Sequence, residues 1–252
     1  MKKLITFTDE RMTLSAHNLC KTALAFGGIE DYGVYDPNSL NPTWRAIQKD
    51  VLANERGAGC WCWKPAIILD AMLNMQTNDI LIYCDAGCTI TSSFQHIIDR
   101  MQEDIFLFGN GWKHVEWTKM DVLDLINHAS FKRTDTMLGS FVSGLGELEN
   151  AEQCQASLIF LRVTKTSLDF VKRWYAYSLM PGLIDDSPSL LPNVPTFADH
   201  RHDQSILTSL AIKYKIPLHW FPSHTNMHNP KAATAGYPIL LEHHRKRNHE
   251  WL

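Results

Sequence analysis

Three short strings in this chain hold residues able to do chemistry. The first is Asp85-Ala86-Gly87, which follows the apolar run Asp79–Asp85 (DILIYCD). A carboxylate projecting from the end of a rigid strand can hold a divalent cation against a diphosphate, because hard cations prefer oxygen ligands. Two small neighbours would let a bulky ligand approach the backbone. The second string is His200-Arg201-His202-Asp203-Gln204-Ser205, which gathers an acid, an amide, a guanidinium and two imidazoles. Asp203 could do no more than cap the helix that begins there, but a cap needs one residue and this run supplies those five groups together. The third string, His243-His244-Arg245-Lys246-Arg247, reads as a solvated basic tail or as a pyrophosphate clamp, since Arg and Lys pair well with phosphate oxygens.

These strings need a scaffold, and the periodicity of the chain describes one. Strands are predicted at 3–8, 32–35, 79–85, 105–108, 157–162, 218–221 and 238–242. Helices are predicted at 12–26, 42–54, 65–75, 119–128, 164–179 and 203–215. Asn41-Pro42 has the form of an N-cap followed by a proline at the first helical position, and Gly27-Gly28 is a stop signal. The run 79–85 is apolar throughout its interior, as suits a strand buried on both faces of a mostly parallel sheet. Alternating strands and helices predict a single α/β domain over residues 1–252, with a long proline-bearing surface loop at about 181–200. In such sheets ligands bind beyond the carboxyl ends of the strands, which is where Asp85 falls.

Composition narrows the class. The chain has 252 residues, 45% apolar and 20% charged, with a formal net charge of −3. That balance is that of an ordinary globular protein and argues against a general nucleic-acid-coating role. The opening MKKLITFTDERM has too short an apolar run for a secretory signal, and no run reaches the length of a membrane span. A cytoplasmic protein is the expectation. Cys20, Cys60, Cys62, Cys84, Cys88 and Cys154 lack zinc-knuckle spacing, so reduced cysteines used as buried packing are expected.

Taken together, Gly57-Ala-Gly-Cys-Trp-Cys-Trp-Lys-Pro65, DILIYCDAGC and HRHDQS resemble a group of bacterial and viral glycosyltransferases of GT-A type. Their pattern runs GYWxWKP, then DIxxYxDAG, then HRxDQS. The resemblance implies a Rossmann-like GT-A fold and a nucleotide-diphosphate-sugar donor. It makes Asp85 similar to the first acid of a D-x-D motif, with Ala86 and Gly87 beside the donor and Gly87 standing where a second acid would be. Asp203-Gln204 resembles the D-Q pair of glycogenin-like transferases and supplies the catalytic candidates. His243 or His244 resembles a late metal ligand, so that Asp85, His243 and His244 would hold Mn²⁺ or Mg²⁺. Lys64 and His202 would lie by the donor, Thr8 and Asp9 at the end of the first strand would meet the nucleoside, and Arg245, Lys246 and Arg247 would bind its phosphates. Gln155-Ala156-Ser157 resembles the segment lining the acceptor side, and Trp61, Trp63 and Trp112 could stack on sugars.

The reaction implied is transfer of a sugar to an acceptor hydroxyl of a glycan or of a modified base in hydroxymethylated DNA. Asp203 would take the acceptor proton in an inverting enzyme, or bind sugar hydroxyls in a retaining one. Asp85 and Asp203 are expected across a gap of about a sugar's width, on the order of 6–10 Å by analogy with paired-carboxylate glycosidases. A sugar nucleotidyltransferase would want a glycine-rich basic loop after the first strand, where this chain has Thr8-Asp9-Glu10-Arg11-Met12. A non-catalytic carbohydrate-binding protein would not need all three strings.

Overall fold

The computed structural model describes residues 1–128, 132–134, 141–143 and 145–251. The strands are β1 (Lys2–Phe7), β2 (Asp31–Tyr35), β3 (Ile80–Cys84), β4 (Cys88–Ile90), β5 (Ile105–Lys113), β6 (Lys132–Thr134), β7 (Phe141–Ser143), β8 (Glu152–Cys154), β9 (Leu158–Arg162), β10 (Leu218–Trp220) and β11 (Leu241–His243). The central sheet has the order β10-β5-β9-β3-β1-β2, with β8 added along β5. β2, β1 and β3 run parallel, β9 is reversed between β3 and β5, and β10 runs parallel to β5. The architecture is therefore α/β with a mostly parallel central sheet, as the alternation of elements predicts. β6–β7 and β4–β11 form two small antiparallel pairs.

Every residue of β3 is buried, because helices cover both faces of the sheet. Side chains alternate across a strand, so neighbours in sequence enter different cores. Ile5 and Leu81 pack with the helices Trp63–Leu73, Lys165–Ser178 and His202–Lys213. Leu4 and Ile82 pack on the other face with Leu19 of the helix Thr13–Thr22, and with Phe94 and Ile97.

The helix starts follow their sequence signals in part. The Asn41 side chain accepts from the backbone N–H groups of Thr43 and Trp44, capping the helix Pro42–Ile47. That helix ends at Ile47, and a separate short one covers Lys49–Leu52. The predicted 12–26 helix is α-helical to Thr22 and continues as a π turn to Gly27. The last strand is shorter and later than expected, Leu241–His243. Segment 181–200 opens with the short helix Pro181–Ile184 and buries Leu183, Ile184 and His200. The Lys119 ammonium holds it down by donating to the carbonyls of Asp185 and Ser187. Among the described residues, all six cysteines are buried and unpaired, and no helix is long and apolar enough to cross a membrane.

Candidate active site

The carboxyl ends of β1 and β3 open into a cleft of about 770 Å³. All three chemistry-bearing strings reach it, together with the turn before the helix Trp63–Leu73. Asp85 continues the β3 ladder by one bond, its N–H donating to the Ser157 carbonyl at 2.9 Å. The helix His202–Lys213 points its first turn at the same place, with Asp203 the acid in that turn.

At the cleft floor lies Lys64, only 3% exposed. Its ammonium stands 3.4 Å from Asp85 Oδ1 and 3.0 Å from Asp203 Oδ2, and donates to the Ala156 carbonyl at 3.2 Å. Burial favours the neutral amine, but the two carboxylates outweigh it and hold the Lys64 pKa above its ordinary value. The carboxylates therefore share one internal cation. The space between them is filled by Lys64, where an open gap of a sugar's width was expected.

The two acids differ. Asp85 keeps 28% of its side chain exposed to the cleft and accepts the Tyr83 hydroxyl at 2.6 Å. Burial acts to raise its pKa, yet Lys64, the Tyr83 bond and His243 outweigh that and hold it below the ordinary carboxylate value. Asp203 is 4% exposed. Its burial wins over Lys64, with Asp85 repelling it further, so its pKa is pushed up to about 6. Its Oδ2 has no hydrogen-bond donor aimed at it among the described residues, since the Lys64 contact has ion-pair distance without hydrogen-bond geometry. Asp203 is not the helix cap. Arg201 occupies the N-cap position and makes no side-chain capping bond.

Gln204 lines the cleft, but its amide is engaged within the protein. It accepts the Ala156 N–H at 3.3 Å and donates to Gln153 at 2.9 Å, fixing the segment 155–157 against the helix start. Asp9 is also in the cleft, where it pairs with Arg11 at 2.5 Å. Thr8 is buried behind it, its hydroxyl bonded to the Asp9 carbonyl. His202 lines the cleft edge against Trp61.

The basic string divides by alternation. His243, Arg245 and Arg247 line the cleft. His244 turns edge-on to Trp251, and the Lys246 ammonium lies over the same ring at 4.9 Å. Lys246 and His244 thus face away from the cleft. Asp85, His243 and His244 do not gather their ligand atoms around one point in this structure; that tight grouping belongs to Cys60, Asp186 and His202 among the described residues. Burial pushes the His243 pKa down to about 4, against the attraction of Asp85, so the imidazole is neutral near pH 7. Its Nε2 lies 3.4 Å from Ser157 Oγ and accepts from Arg245 Nε at 3.3 Å.

Gly87 has a different reason for its size from the one read in sequence. A β-carbon there would stand 2.7 Å from Arg245 Cα, and the Gly87 carbonyl accepts the N–H groups of His244 and Arg245. The glycine admits the chain's own late segment.

Tyr83 and Arg56 line the cleft without a role read from the sequence. Tyr83 is two residues before Asp85, so strand alternation puts both on one side, a signal present in the sequence. Arg56 reaches the cleft from a loop, where no period marks it, and Arg201 of the second string joins it there. Trp63 stacks on Phe7 in the core, while Trp112 is 45% exposed at the cleft and stacks on Trp117 at 4.4 Å. The Arg201 guanidinium covers Trp117 at 4.5 Å.

No protein-family model matches the chain, and no curated protein sequence does. Among solved structures it is similar to mouse xyloside xylosyltransferase 1 in its apo form, with 9% identity and a TM-score of 0.45 over 96% of this chain and 97% of that one. It is also similar to the apo bifunctional glycosyltransferase WbbM, with 9% identity and a TM-score of 0.47, where 96% of this chain spans 45% of the other. A third is the galactosyltransferase LgtC in complex with donor and acceptor sugar analogs, with 11% identity and a TM-score of 0.46 over 96% and 86% of the two chains.

Proposed function

We propose that residues 1–252 form one GT-A-type glycosyltransferase unit that moves a sugar from a nucleotide-diphosphate donor to an acceptor hydroxyl. One observation carries this reading. Asp85 and Asp203 come from distant parts of the chain, yet meet around the buried Lys64 ammonium at the floor of a cleft beyond the parallel strands. Arg245 and Arg247 line the same cleft. The arrangement offers fixed acids to a polyhydroxylated ring and fixed cations to a leaving diphosphate.

Asp85 and Lys64 hold each other in position, and the Tyr83 hydroxyl fixes the rotamer of Asp85. Asp203, ionised above about pH 6, accepts a hydrogen bond from a sugar hydroxyl at the cleft floor. Its neighbour Gln204 holds the 155–157 wall. Arg245 and Arg247 stabilise negative charge on the departing diphosphate. The Trp112 face at the cleft edge suits the apolar face of a pyranose and favours a glycan acceptor.

A divalent cation fits this donor set in a limited form. Asp85 offers a partly exposed carboxylate and His243 a neutral imidazole, while Gly87 offers nothing and His244 faces Trp251. Mg²⁺ and similar ions commonly take one or two protein ligands and complete their shell with substrate phosphates and water. Bound there, Mn²⁺ or Mg²⁺ would neutralise diphosphate charge. The test is a panel of nucleotide sugars assayed for thermal stabilisation and for release of the nucleotide diphosphate, with and without Mn²⁺. No stabilisation by any donor at millimolar concentration would reject the reading.

A further inference from the structure

We infer that Cys60, Asp186 and His202 form a binding site for a zinc-class divalent cation, separate in chemistry from any hard cation at Asp85. The inference is independent of the proposed sugar transfer. The Cys60 sulfur, a His202 ring nitrogen and an Asp186 carboxylate oxygen all lie within 4.8 Å of one another.

The imidazole gives the strongest indication. His202 is fully buried, and its Nδ1 lies 2.8 Å from the Ile184 carbonyl oxygen. A carbonyl only accepts, so Nδ1 carries the proton and Nε2 presents a lone pair. Among the described residues that Nε2 is buried without a hydrogen-bond partner, 3.5 Å from Asp186 Oδ1. A cation between them would give Nε2 a partner and add to the one Asp186 Oδ1 already has in Arg56.

The ligand set selects the metal. Ca²⁺ and Mg²⁺ want oxygen throughout, whereas Zn²⁺ takes sulfur, nitrogen and oxygen together. Around a tetrahedral zinc, ligand atoms stand roughly 3.3–3.6 Å apart given bonds of about 2.0–2.3 Å, which is the spacing His202 and Asp186 already have. A carbonyl on the far nitrogen of a ligating histidine is the usual orienting partner. The Cys60 and His202 backbones have φ values of 52° and 50°, a left-handed region disfavoured for residues with a β-carbon. Arg56 is the competing cation, 3.0 Å from Asp186 Oδ1, but it also grips both oxygens of Asp199 and has that anchor to keep. Three protein ligands leave a fourth position for water. The ion would tie the turn 57–61 to the residue preceding Asp203, and so position that acid.

The test uses the full chain purified without chelator. Metal analysis should find about one zinc per chain. Substitution by Co²⁺ should give a near-ultraviolet thiolate-to-metal charge-transfer band. Cys60→Ala should remove that band. Asp186→Asn, at a half-exposed position, should stay folded and bind zinc at least about ten-fold more weakly. A folded protein with neither zinc nor a Co²⁺ band would overturn the site, as would equal zinc affinity in wild type and Asp186→Asn. So would nitrogen NMR showing His202 doubly protonated near pH 7 and unmoved by added zinc, since the cation between the two acceptors would then be a proton.

Discussion

Replacing Asp203 by Asn should stabilise the protein at neutral pH while abolishing activity. The carboxylate is buried and its pKa stands at about 6 against an ordinary 3.8. That gap is worth about 3 kcal/mol at 1.36 kcal/mol per pH unit. The sign follows from proton linkage: between those two values the folded state binds more protons than the unfolded one, so stability falls as pH rises. The cost is absent below about pH 4 and complete above about pH 7. An asparagine stays neutral and never incurs it. Urea titrations of wild type and Asp203→Asn at intervals from pH 4 to 8 should therefore diverge with rising pH, the variant becoming more stable by about 2–3 kcal/mol at pH 7. They should converge at the acid end. In the wild type, kcat/KM should fall on the acid side with a midpoint near 6 as Asp203 takes up its proton. A variant less stable than wild type at pH 7 would refute the argument, because it would mean that the Lys64 pairing more than compensates the burial.

Other perturbations test the remaining parts of the cleft. Asp85→Asn should abolish transfer with a melting temperature changed by only a few degrees; near-normal turnover would remove Asp85 from the mechanism. Lys64→Met leaves the buried Asp203 and the partly exposed Asp85 without their shared cation and should cost about 3–5 kcal/mol in a denaturant titration. Gly87→Ala forces the Arg245 backbone away and should cost about 1–3 kcal/mol, together with weaker donor binding by calorimetry. Activity of the zinc-loaded protein should fall when Mn²⁺ and Mg²⁺ are withheld and return when either is added; full activity without them would leave the diphosphate to Arg245 and Arg247 alone.

Much of the scaffold was legible because it obeys short periods. The run ILIYC announced a doubly buried strand, and the Asn41-Pro42 pair its helix. What stayed hidden depended on contacts between distant segments. Nothing in the Asp85-Ala86-Gly87 string shows that the glycine accommodates Arg245. Lys64 reads as a cation facing a ligand, and only the fold reveals that two acids already occupy it. The basic string was read as one patch. A strand-like alternation sends its odd-numbered members into the cleft and its even-numbered ones towards Trp251, a pattern the sequence did contain. Composition marks the proline-bearing segment 181–200 as surface, but Leu183, Ile184 and His200 show it partly buried.

The docking of residues 243–247 against Gly87 also bears on how the protein is made. The backbone bonds from His244 and Arg245 to the Gly87 carbonyl join segments more than 150 positions apart. Contacts of such separation form late, after the local helices and the first parallel strands. A nascent chain that has exposed β1 and β3 already displays Asp85, but has neither the helix bearing Asp203 nor the arginines that close the cleft. Such an intermediate would hold the Lys64 ammonium with half its counter-charge, and synthesis would pass through residue 247 before a nucleotide ligand met a complete site. Ribosome-bound chains stalled before that point should neither bind nor consume donor.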